Sequence, residues 1–237
     1  MSRAERSRFA ILPRLRLSPS AGELVRRFLD EALPAAGARA LDAGCGRVSG
    51  FVPFRPRIGE LVGVDIHAPA RPLPWLDRFV IADLCRDTEA FPAGAFDVAL
   101  SSFTVEHFAD PPAALRTIGG WLRPGGSLVL STVNRGHPFV NAYLSLPRAI
   151  VRPLQRQVKA IAADVHPLVG ACNTPALLRA ALEEAGYIDI ELVTVDHLTR
   201  AWGRRFPAYL AGLLGDLAAH PFPGRRSTIV ARARRPA

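Results

Sequence analysis

The stretch "RALDAGCGRVSG", residues 39–50, decides the fold of this chain. A short apolar run ends at the acid Asp42, and Gly44 and Gly46 then flank Cys45. Glycine directly after a strand lets a ligand approach the backbone, because a side chain at that position would stand in the way. The stretch therefore predicts the first strand of an α/β domain, followed by its ligand-binding loop.

Two kinds of ligand use such a loop. A dinucleotide-binding loop brings a pyrophosphate to G-x-G-x-x-G, but the third glycine position here holds Ser49. Asp42 would also repel a pyrophosphate, whereas it would attract a ligand that carries an ammonium group. The loop therefore favours an ammonium-bearing ligand over a nicotinamide dinucleotide.

Apolar strands alternate with helices along the rest of the chain. Six further segments are typical of strands: "ELVGVD" (Glu60–Asp65), "RFVIAD" (Arg78–Asp83), "FDVALSS" (Phe96–Ser102), "GSLVLSTV" (Gly126–Val133), "IDIELVTVD" (Ile188–Asp196) and "RSTIVARAR" (Arg226–Arg234). Short unbroken apolar strands between helices indicate a parallel sheet that is covered on both faces. We therefore predict an α/β fold, a Rossmann-like, doubly wound, seven-stranded and mostly parallel sheet with a helical lid insertion.

Helix boundaries carry their own signals. Ser20 is a candidate N-cap, and Glu23 three residues later completes a capping box. A second helix is predicted at "PPAALRTIGGWL" and is followed by a turn at "RPGG". A third follows Asn173 or Thr174 and ends at Gly186, and a further helical segment is predicted over residues 207–219.

A single domain is expected over residues 1–237, with three segments outside the strand–helix alternation. These are a basic leader (1–19), a lid or acceptor-binding insertion (134–173) and a second helical cap segment (197–226). In the insertion, arginines recur every four residues at Arg148, Arg152 and Arg156. This pattern is typical of a basic amphipathic helix, which lies on an anionic membrane or packs as a lid with solvated arginines.

Composition limits the possible function classes. The net charge is +9, and Lys159 is the one lysine among 30 basic residues. Such an arginine bias is typical of genome composition as well as of an anionic partner. The three cysteines lack the paired spacing of a disulfide framework or a zinc site, so no metal is expected. No apolar run reaches the ~20 residues of a membrane span, and we expect a cytoplasmic protein with possible peripheral membrane contact.

Five segments in order carry a family resemblance: "ALDAGCG", "LVGVDI", "IADL", "FDVALSSFTVEHFADPPAALRTIGGWLRPGGSLVLST" and "TPALLRAALEEAGY". Over Arg39 to Asp196 the chain resembles the class I S-adenosylmethionine-dependent methyltransferases of the type 11 or 12 group. The resemblance implies S-adenosyl-L-methionine as cofactor and S-adenosyl-L-homocysteine as product. The sequence argues against nucleic-acid methylation, because "SSFT" replaces the "NPPY"-type tetrapeptide of enzymes that methylate amino groups of DNA and RNA.

The resemblance also assigns roles to single residues. It implies that Asp65 accepts the ribose hydroxyls and that Asp83 accepts the adenine amino group. The backbone of Leu84 would meet the adenine ring, and Ile66 would pack against its face or belong to the core. The remaining cofactor contacts fall on the glycine loop and on the end of the fourth strand: Asp42, Gly44, Cys45, Gly46, Ser101 and Ser102.

His107 is the catalytic candidate, in the segment "VEHF" beside the expected methyl-transfer pocket. An imidazole titrates near neutral pH and could take the proton of an acceptor hydroxyl. The alternative is a histidine that only shapes this loop. His137 and His166, in the insertion, are further candidates for the base, although each alone is more typical of an exposed loop.

The chain departs from the family pattern in the cofactor loop. The family's third glycine falls at Val48, and Gly50 comes two residues later. Pro53 and Pro56 follow, so the first helix is predicted to be short or irregular. Our leading hypothesis is O-methylation of a small molecule, namely a metabolite, a glycan or a lipid. The alternative is a catalytically inactive methyltransferase-like module that binds a partner or lies on a membrane.

Overall fold

A computed structural model describes residues 17–145, 169–201 and 206–237. Within these ranges the chain forms a seven-stranded sheet, as the apolar segments predict. The strands are β1 (Ala38–Ala43), β2 (Ile58–Asp65), β3 (Arg78–Ile81), β4 (Phe96–Ser102), β5 (Leu122–Val133), β6 (Ile188–Val195) and β7 (Thr228–Arg234). The expected helix around Arg148, Arg152 and Arg156, the candidate His166 and most of the basic leader lie outside the described residues.

The strand order is β3-β2-β1-β4-β5-β7-β6. Strands β1 to β5 pair in parallel, and β7 runs antiparallel to both β5 and β6. This arrangement confirms the mostly parallel, doubly wound sheet. It also brings the carboxyl ends of β1 to β6 to one edge, where ligands bind in open α/β sheets.

Helices cover both faces of the sheet. They are α1 (Ala21–Ala32), α2 (Pro111–Trp121), α3 (Pro138–Ser145), α4 (Pro175–Glu184), α5 (Leu198–Ala201) and α6 (Phe206–Ala219). The capping box at the start of α1 is present, since Ser20 Oγ accepts from Glu23 N and Glu23 Oε2 accepts from Ser20 N. Thr174 rather than Asn173 caps α4. Two apolar clusters, one on each face of the sheet, form the core.

The connection from β1 to β2 contains a short 3₁₀ helix, Val52–Arg57, in place of a long α-helix. Pro53 and Pro56 lack the N–H groups that a regular helix needs, as the sequence indicates. The short connection leaves the glycine loop as the main link between the two strands.

The structure corrects the predicted turn at "RPGG", residues 123–126. These residues belong to β5, which begins at Leu122. Leu122 pairs with Phe96 and Ser127 pairs with Val98, so the extra residues form a bulge inside the strand. Gly125 takes a φ of +73° there, which glycine adopts without strain.

No helix in the described part of the chain has the length and apolar composition that crossing a bilayer requires.

Candidate functional site

A cavity of about 900 Å³ lies at the carboxyl ends of β1 to β4. Ten of the residues that the sequence singles out line it: Asp42, Gly44, Cys45, Gly46, Asp65, Ile66, Asp83, Leu84, Ser102 and His107. Residues of the glycine loop, of the first turns of α1 and of α5 complete the wall. The structure thus brings nearly the whole predicted site together, and it does so where the strand topology expects a ligand.

Asp42 is the buried acid near the end of β1. It pairs with Gly63 of β2 on one side and with Leu100 of β4 on the other. Its Oδ2 atom is buried and has no hydrogen-bond partner within the described residues. Burial raises the pKa of Asp42 to about 7, a hydrogen bond with the Ser49 side chain opposes the rise, and the charge of Asp65 adds to it. A buried carboxylate oxygen without a partner is a group that a ligand ammonium would satisfy.

The glycine loop is held against the strands by its backbone. Gly44 N donates to Val64 O at 2.8 Å, and Gly46 N donates to Asp65 Oδ2 at 3.2 Å. Gly44 has a φ of +74°, and a Cβ atom there would come within 2.2 Å of the Thr104 side chain. A Cβ atom at Gly46 would meet no protein atom within 4 Å. Gly44 is therefore required by protein packing, whereas the space beside Gly46 is free for a ligand.

The structure explains why the chain needs no glycine at position 48, the third glycine position of the family. Val48 is 83% exposed, and its φ is not positive, so the backbone does not require glycine at this position. Ser49 is buried, and its Oγ accepts from Phe51 N at 3.1 Å. Gly50 is instead the glycine that protein packing favours, because a Cβ atom there would come within 2.9 Å of the Leu100 side chain.

The second and third strands each end beside an acid. Asp65 Oδ1 lies 3.4 Å from His67 N, and its carboxylate also lines the cavity. Asp83 Oδ1 accepts from Cys85 N at 2.9 Å, which fixes the turn after β3. Two carboxylates that face one cavity from neighbouring strands present several acceptor positions for hydroxyl and amino groups.

The two apolar candidates differ in exposure. Ile66 is exposed at the cavity wall, so its side chain is available to a planar ring. Leu84 is buried in the core cluster although it also borders the cavity. Cys45 is buried as well, and burial followed by the charges of the nearby acids raises the pKa of its thiol to about 12.

Ser101 does not line the cavity. Successive side chains of a strand point to opposite faces, so Ser101 and Ser102 cannot both face one ligand. Ser102 borders the cavity and its Oγ lies 3.1 Å from Ser131 Oγ, whereas Ser101 is fully buried with no partner for its Oγ in the described part of the chain.

His107 lies at the end of a short 3₁₀ turn, Val105–His107, and borders the cavity. His137 has a different position, because it is fully buried and does not line the cavity. Its Nδ1 accepts from Phe139 N at 3.1 Å, and its Nε2 lies 3.2 Å from Gly215 O. His137 therefore organises the start of α3 and its contact with α6, which argues against a role as base.

Two aromatic rings of the site, Phe103 and His197, carry no motif that predicts them from the sequence. Both line the cavity, and their ring centroids are 5.6 Å apart. Phe103 takes a φ of +52°, a strained conformation for a bulky residue of the kind that clusters at functional sites. His197 follows the carboxyl end of β6, and this position at the ligand-binding edge is the signal that could have revealed it.

The His197 ring borders the cavity in its neutral form. Its Nδ1 is buried without a partner in the described residues. Burial and then the charge of Arg200 lower the pKa of His197, while Asp216 opposes the shift. The imidazole is therefore neutral at physiological pH, the form in which it acts as a base.

The donor set fits S-adenosylmethionine. The unpartnered oxygen of Asp42 suits the ammonium group, the carboxylates of Asp65 and Asp83 suit hydroxyl and amino groups, and the exposed Ile66 suits a ring face. A pyrophosphate fits poorly at the glycine loop, because Gly46 N already donates to Asp65 Oδ2 and the Asp42 carboxyl group lies beside the loop, although four arginines also line the cavity. Among the described residues, no group of three or more His, Cys, Asp and Glu side chains could hold a metal ion.

Comparison with known sequences agrees with this fit. A profile of the methyltransferase-domain family matches residues 15–208. The chain is 29% identical to nocamycin O-methyltransferase of Saccharothrix syringae over 194 residues, 75% of this chain and 69% of the relative. It is 34% identical to a ubiquinone biosynthesis O-methyltransferase of Marinobacter nauticus over 119 residues, 46% of this chain and 49% of the relative. The chain thus spans about half the length of the second relative.

Solved structures share the fold. Geranyl diphosphate C-methyltransferase of Streptomyces coelicolor A3(2), in complex with Mg²⁺, geranyl diphosphate and S-adenosyl-L-homocysteine, matches with a TM-score of 0.59 at 19% identity. That match covers 99% of this chain and 84% of the other. A protein of Galdieria sulphuraria, to which the activity of a sarcosine dimethylglycine methyltransferase is assigned, matches with a TM-score of 0.60 at 14% identity. That match covers 91% of this chain and 85% of the other.

Proposed function

The chain belongs to the methyltransferase-domain family, the class I S-adenosylmethionine-dependent methyltransferases, and from this premise we propose that it methylates a hydroxyl group of a small molecule. The observation that carries the proposal is the unpartnered, buried oxygen of Asp42 beside a cavity lined by Asp65 and Asp83. The relatives named above as O-methyltransferases support oxygen as the methylated atom.

The cofactor supplies a methyl group that its sulfonium centre already activates. The remaining task of the protein is to hold the acceptor in line with this methyl group and to exclude water. In the proposal, Asp65 accepts from the ribose hydroxyls, Asp83 from the adenine amino group and Asp42 from the ammonium group. The glycine loop approaches the ligand at Gly46, where a side chain would intrude.

A hydroxyl acceptor must also lose a proton. Two cavity histidines can take it, His107 after β4 and His197 after β6. His197 has the further support of a lowered pKa, which keeps its ring neutral at physiological pH. The Phe103 ring, tilted 32° from the His197 ring, offers an apolar surface for the acceptor beside that histidine.

Cofactor binding is the first test. Calorimetric titration with S-adenosylmethionine and S-adenosylhomocysteine compares the wild type with Asp65→Ala. Each lost hydrogen bond to a carboxylate is worth about 1.5–3 kcal/mol, so we expect affinity to fall about a hundredfold. Glu89→Ala, an exposed acid that does not line the cavity, is the matched control. If the folded wild-type protein binds neither ligand, this result favours the inactive-module alternative.

Acceptor use is the second test. Release of S-adenosylhomocysteine is measured with a panel of phenols, hydroxylated lipids and glycans, for the wild type, His107→Gln and His197→Gln. The residue that acts as base should lower kcat with little effect on cofactor affinity, and the loss should lessen at high pH. Loss of cofactor binding in either variant would instead indicate a role in shaping the loop.

The alternative function, a catalytically inactive methyltransferase-like module, is supported by the departure of the glycine loop from the family pattern. Against this alternative stand two observations: Val48 is 83% exposed and needs no glycine backbone, although it borders the cavity, and Ser49 hydrogen-bonds Asp42.

A further inference from the structure

Helix α6 buries two glycines and exposes three leucines. Gly212 and Gly215 face inward, where Cβ atoms would come within 3.0 Å of the Leu198 backbone and within 2.7 Å of the Phe139 ring. Three leucines on the outer side are 41%, 56% and 41% exposed: Leu210, Leu214 and Leu217. A helix of a globular domain ordinarily turns its leucines to the core, so exposed leucines on this side mark a candidate contact surface.

The three leucines recur at spacings of four and three residues, which places them on one side of the helix; we call them the leucine face. The one charged residue of α6, Asp216, is buried and accepts from Thr199 N at 2.8 Å. Beyond the helix, Phe222 is 56% exposed and the Arg225 guanidinium lies 5.6 Å from its ring centroid. An uncharged apolar face is therefore followed by an exposed aromatic ring and a cation.

The residues that flank helix α6 in the sequence are mostly basic. In the described part of the segment 197–226, three arginines stand against one acid, Asp216, which is buried: Arg200, Arg225 and Arg226. The segment 134–173 holds five basic residues and one acid, and so does the segment 197–226. Together these segments contribute eight of the nine net positive charges. Residues 1–19 also hold five basic residues and one acid, so the rest of the chain is slightly acidic. The uneven charge comes mainly from the acids, because 15 of the 30 basic residues but 18 of the 21 acids lie outside these three segments.

We propose that the leucine face docks on an anionic lipid bilayer. Leucine and phenylalanine side chains enter the interface, and arginines at the edge meet the lipid phosphates. A second copy of the chain is a poorer partner, because it would bring the same positive charge to the contact. A nucleic acid would use the arginines but would leave the leucines in water.

Docking in this orientation would also bring the cavity close to the bilayer. Helix α6 packs on α5 through Gly212 and Leu198, and Arg200 of α5 lines the cavity. The acceptor side of the site would thus lie near the bilayer surface. The docking proposal goes beyond the proposed function and does not require it.

Vesicle co-sedimentation tests the proposal with the whole chain. Vesicles of pure phosphatidylcholine are compared with vesicles that also contain phosphatidylglycerol, at low and high salt. The variants are Leu214→Gln and Leu217→Gln on the leucine face. The matched control is Leu177→Gln on α4, since Leu177 is 51% exposed and Leu214 is 56% exposed. Circular dichroism and calorimetry with S-adenosylhomocysteine check each variant for folding and for an intact cofactor site.

We expect salt-sensitive binding to the phosphatidylglycerol vesicles, a loss of about tenfold in partitioning for each face variant and no change for Leu177→Gln. Cofactor affinity should stay unchanged in all three variants. The proposal is overturned if the wild type does not sediment with these vesicles, or if the face variants bind as the wild type does. A dimer in light scattering that Leu214→Gln dissociates would also overturn it, in favour of a second copy.

Discussion

The Ser49 side chain hydrogen-bonds the buried carboxyl group of Asp42, and its Oγ accepts from Phe51 N at 3.1 Å. One hydroxyl therefore joins the end of β1 to the far side of the glycine loop. The hydrogen bond opposes the rise in the pKa of Asp42 that burial causes. In this chain a serine thus takes over part of the task of shaping the loop, and it also tunes the charge that the cofactor would meet.

Replacing Ser49 with Ala should weaken cofactor binding at neutral pH. The pKa of Asp42 would rise further, and the neutral acid would attract an ammonium group less. A hydrogen bond to a charged group is worth about 1.5–3 kcal/mol, so the dissociation constant of S-adenosylhomocysteine should increase about tenfold. Calorimetry at neutral and at alkaline pH measures this effect. Equal loss at both pH values would show that the serine acts on loop shape alone.

Cofactor affinity of the wild type should fall as pH decreases through 7. The pKa of Asp42 is raised to about 7, so the carboxyl group is mostly neutral one unit lower. A neutral Asp42 loses its attraction for the ammonium group, and affinity should fall about tenfold between about pH 8 and about pH 6. A flat profile over this range would contradict the assignment of Asp42 to the ammonium group. Asp42→Asn should remove the pH dependence and bind weakly throughout.

The same carboxyl group should make the protein less stable at high pH. Because folding raises the pKa of Asp42 from 3.8 to about 7, the folded state binds the extra proton between these values. The free energy of unfolding should therefore fall as pH rises from about 4 to about 7, and level off above. Relative to the wild type, Asp42→Asn should gain about 4 kcal/mol over this range, since each pKa unit is worth about 1.4 kcal/mol. Urea unfolding of both proteins across the range measures the difference.

Strand composition made most of the fold predictable. The boundaries of β4 agree with the apolar segment to the residue, because turn residues bracket it. The position of β7 between β5 and β6 could not be derived from periodicity, since a local pattern carries no information about strand order. The bulge in β5 was missed because Arg123 to Gly126 have the composition of a free turn and are held by tertiary pairing instead.

Site residues could be predicted where they lie at or just beyond the carboxyl end of a strand. Asp42, Asp65 and Asp83 follow this rule and reach the cavity. Ser101 does not, because strand alternation turns it away from Ser102. His197 was missed, since a single histidine beyond β6 has no motif around it. Its role as a candidate base emerges only from tertiary contacts with Phe103 and from burial.

Alanine at Gly44 should mainly reduce stability, whereas alanine at Gly46 should mainly reduce cofactor binding. At Gly44 the new Cβ would overlap Thr104, and the φ of +74° adds strain, so we expect a loss of about 2–4 kcal/mol in unfolding free energy. At Gly46 no protein atom is near, and only the strain of about 1 kcal/mol remains. If the cofactor occupies that space, Gly46→Ala should lose S-adenosylhomocysteine binding while it stays folded. The double variant Gly44→Ala with Thr104→Ala should recover part of the stability.

Replacing Val48 with glycine should change cofactor affinity and stability only a little, although the family pattern has glycine at this position. Val48 is 83% exposed and adopts a backbone conformation that does not require glycine. Val48→Gly should therefore change the affinity for S-adenosylhomocysteine less than about threefold, and added backbone freedom should reduce stability by about 0.5–1 kcal/mol. Calorimetry and thermal unfolding measure the two quantities. A large gain in affinity would mean that the valine side chain obstructs the cofactor when the loop closes, and that the departure from the family pattern weakens the site.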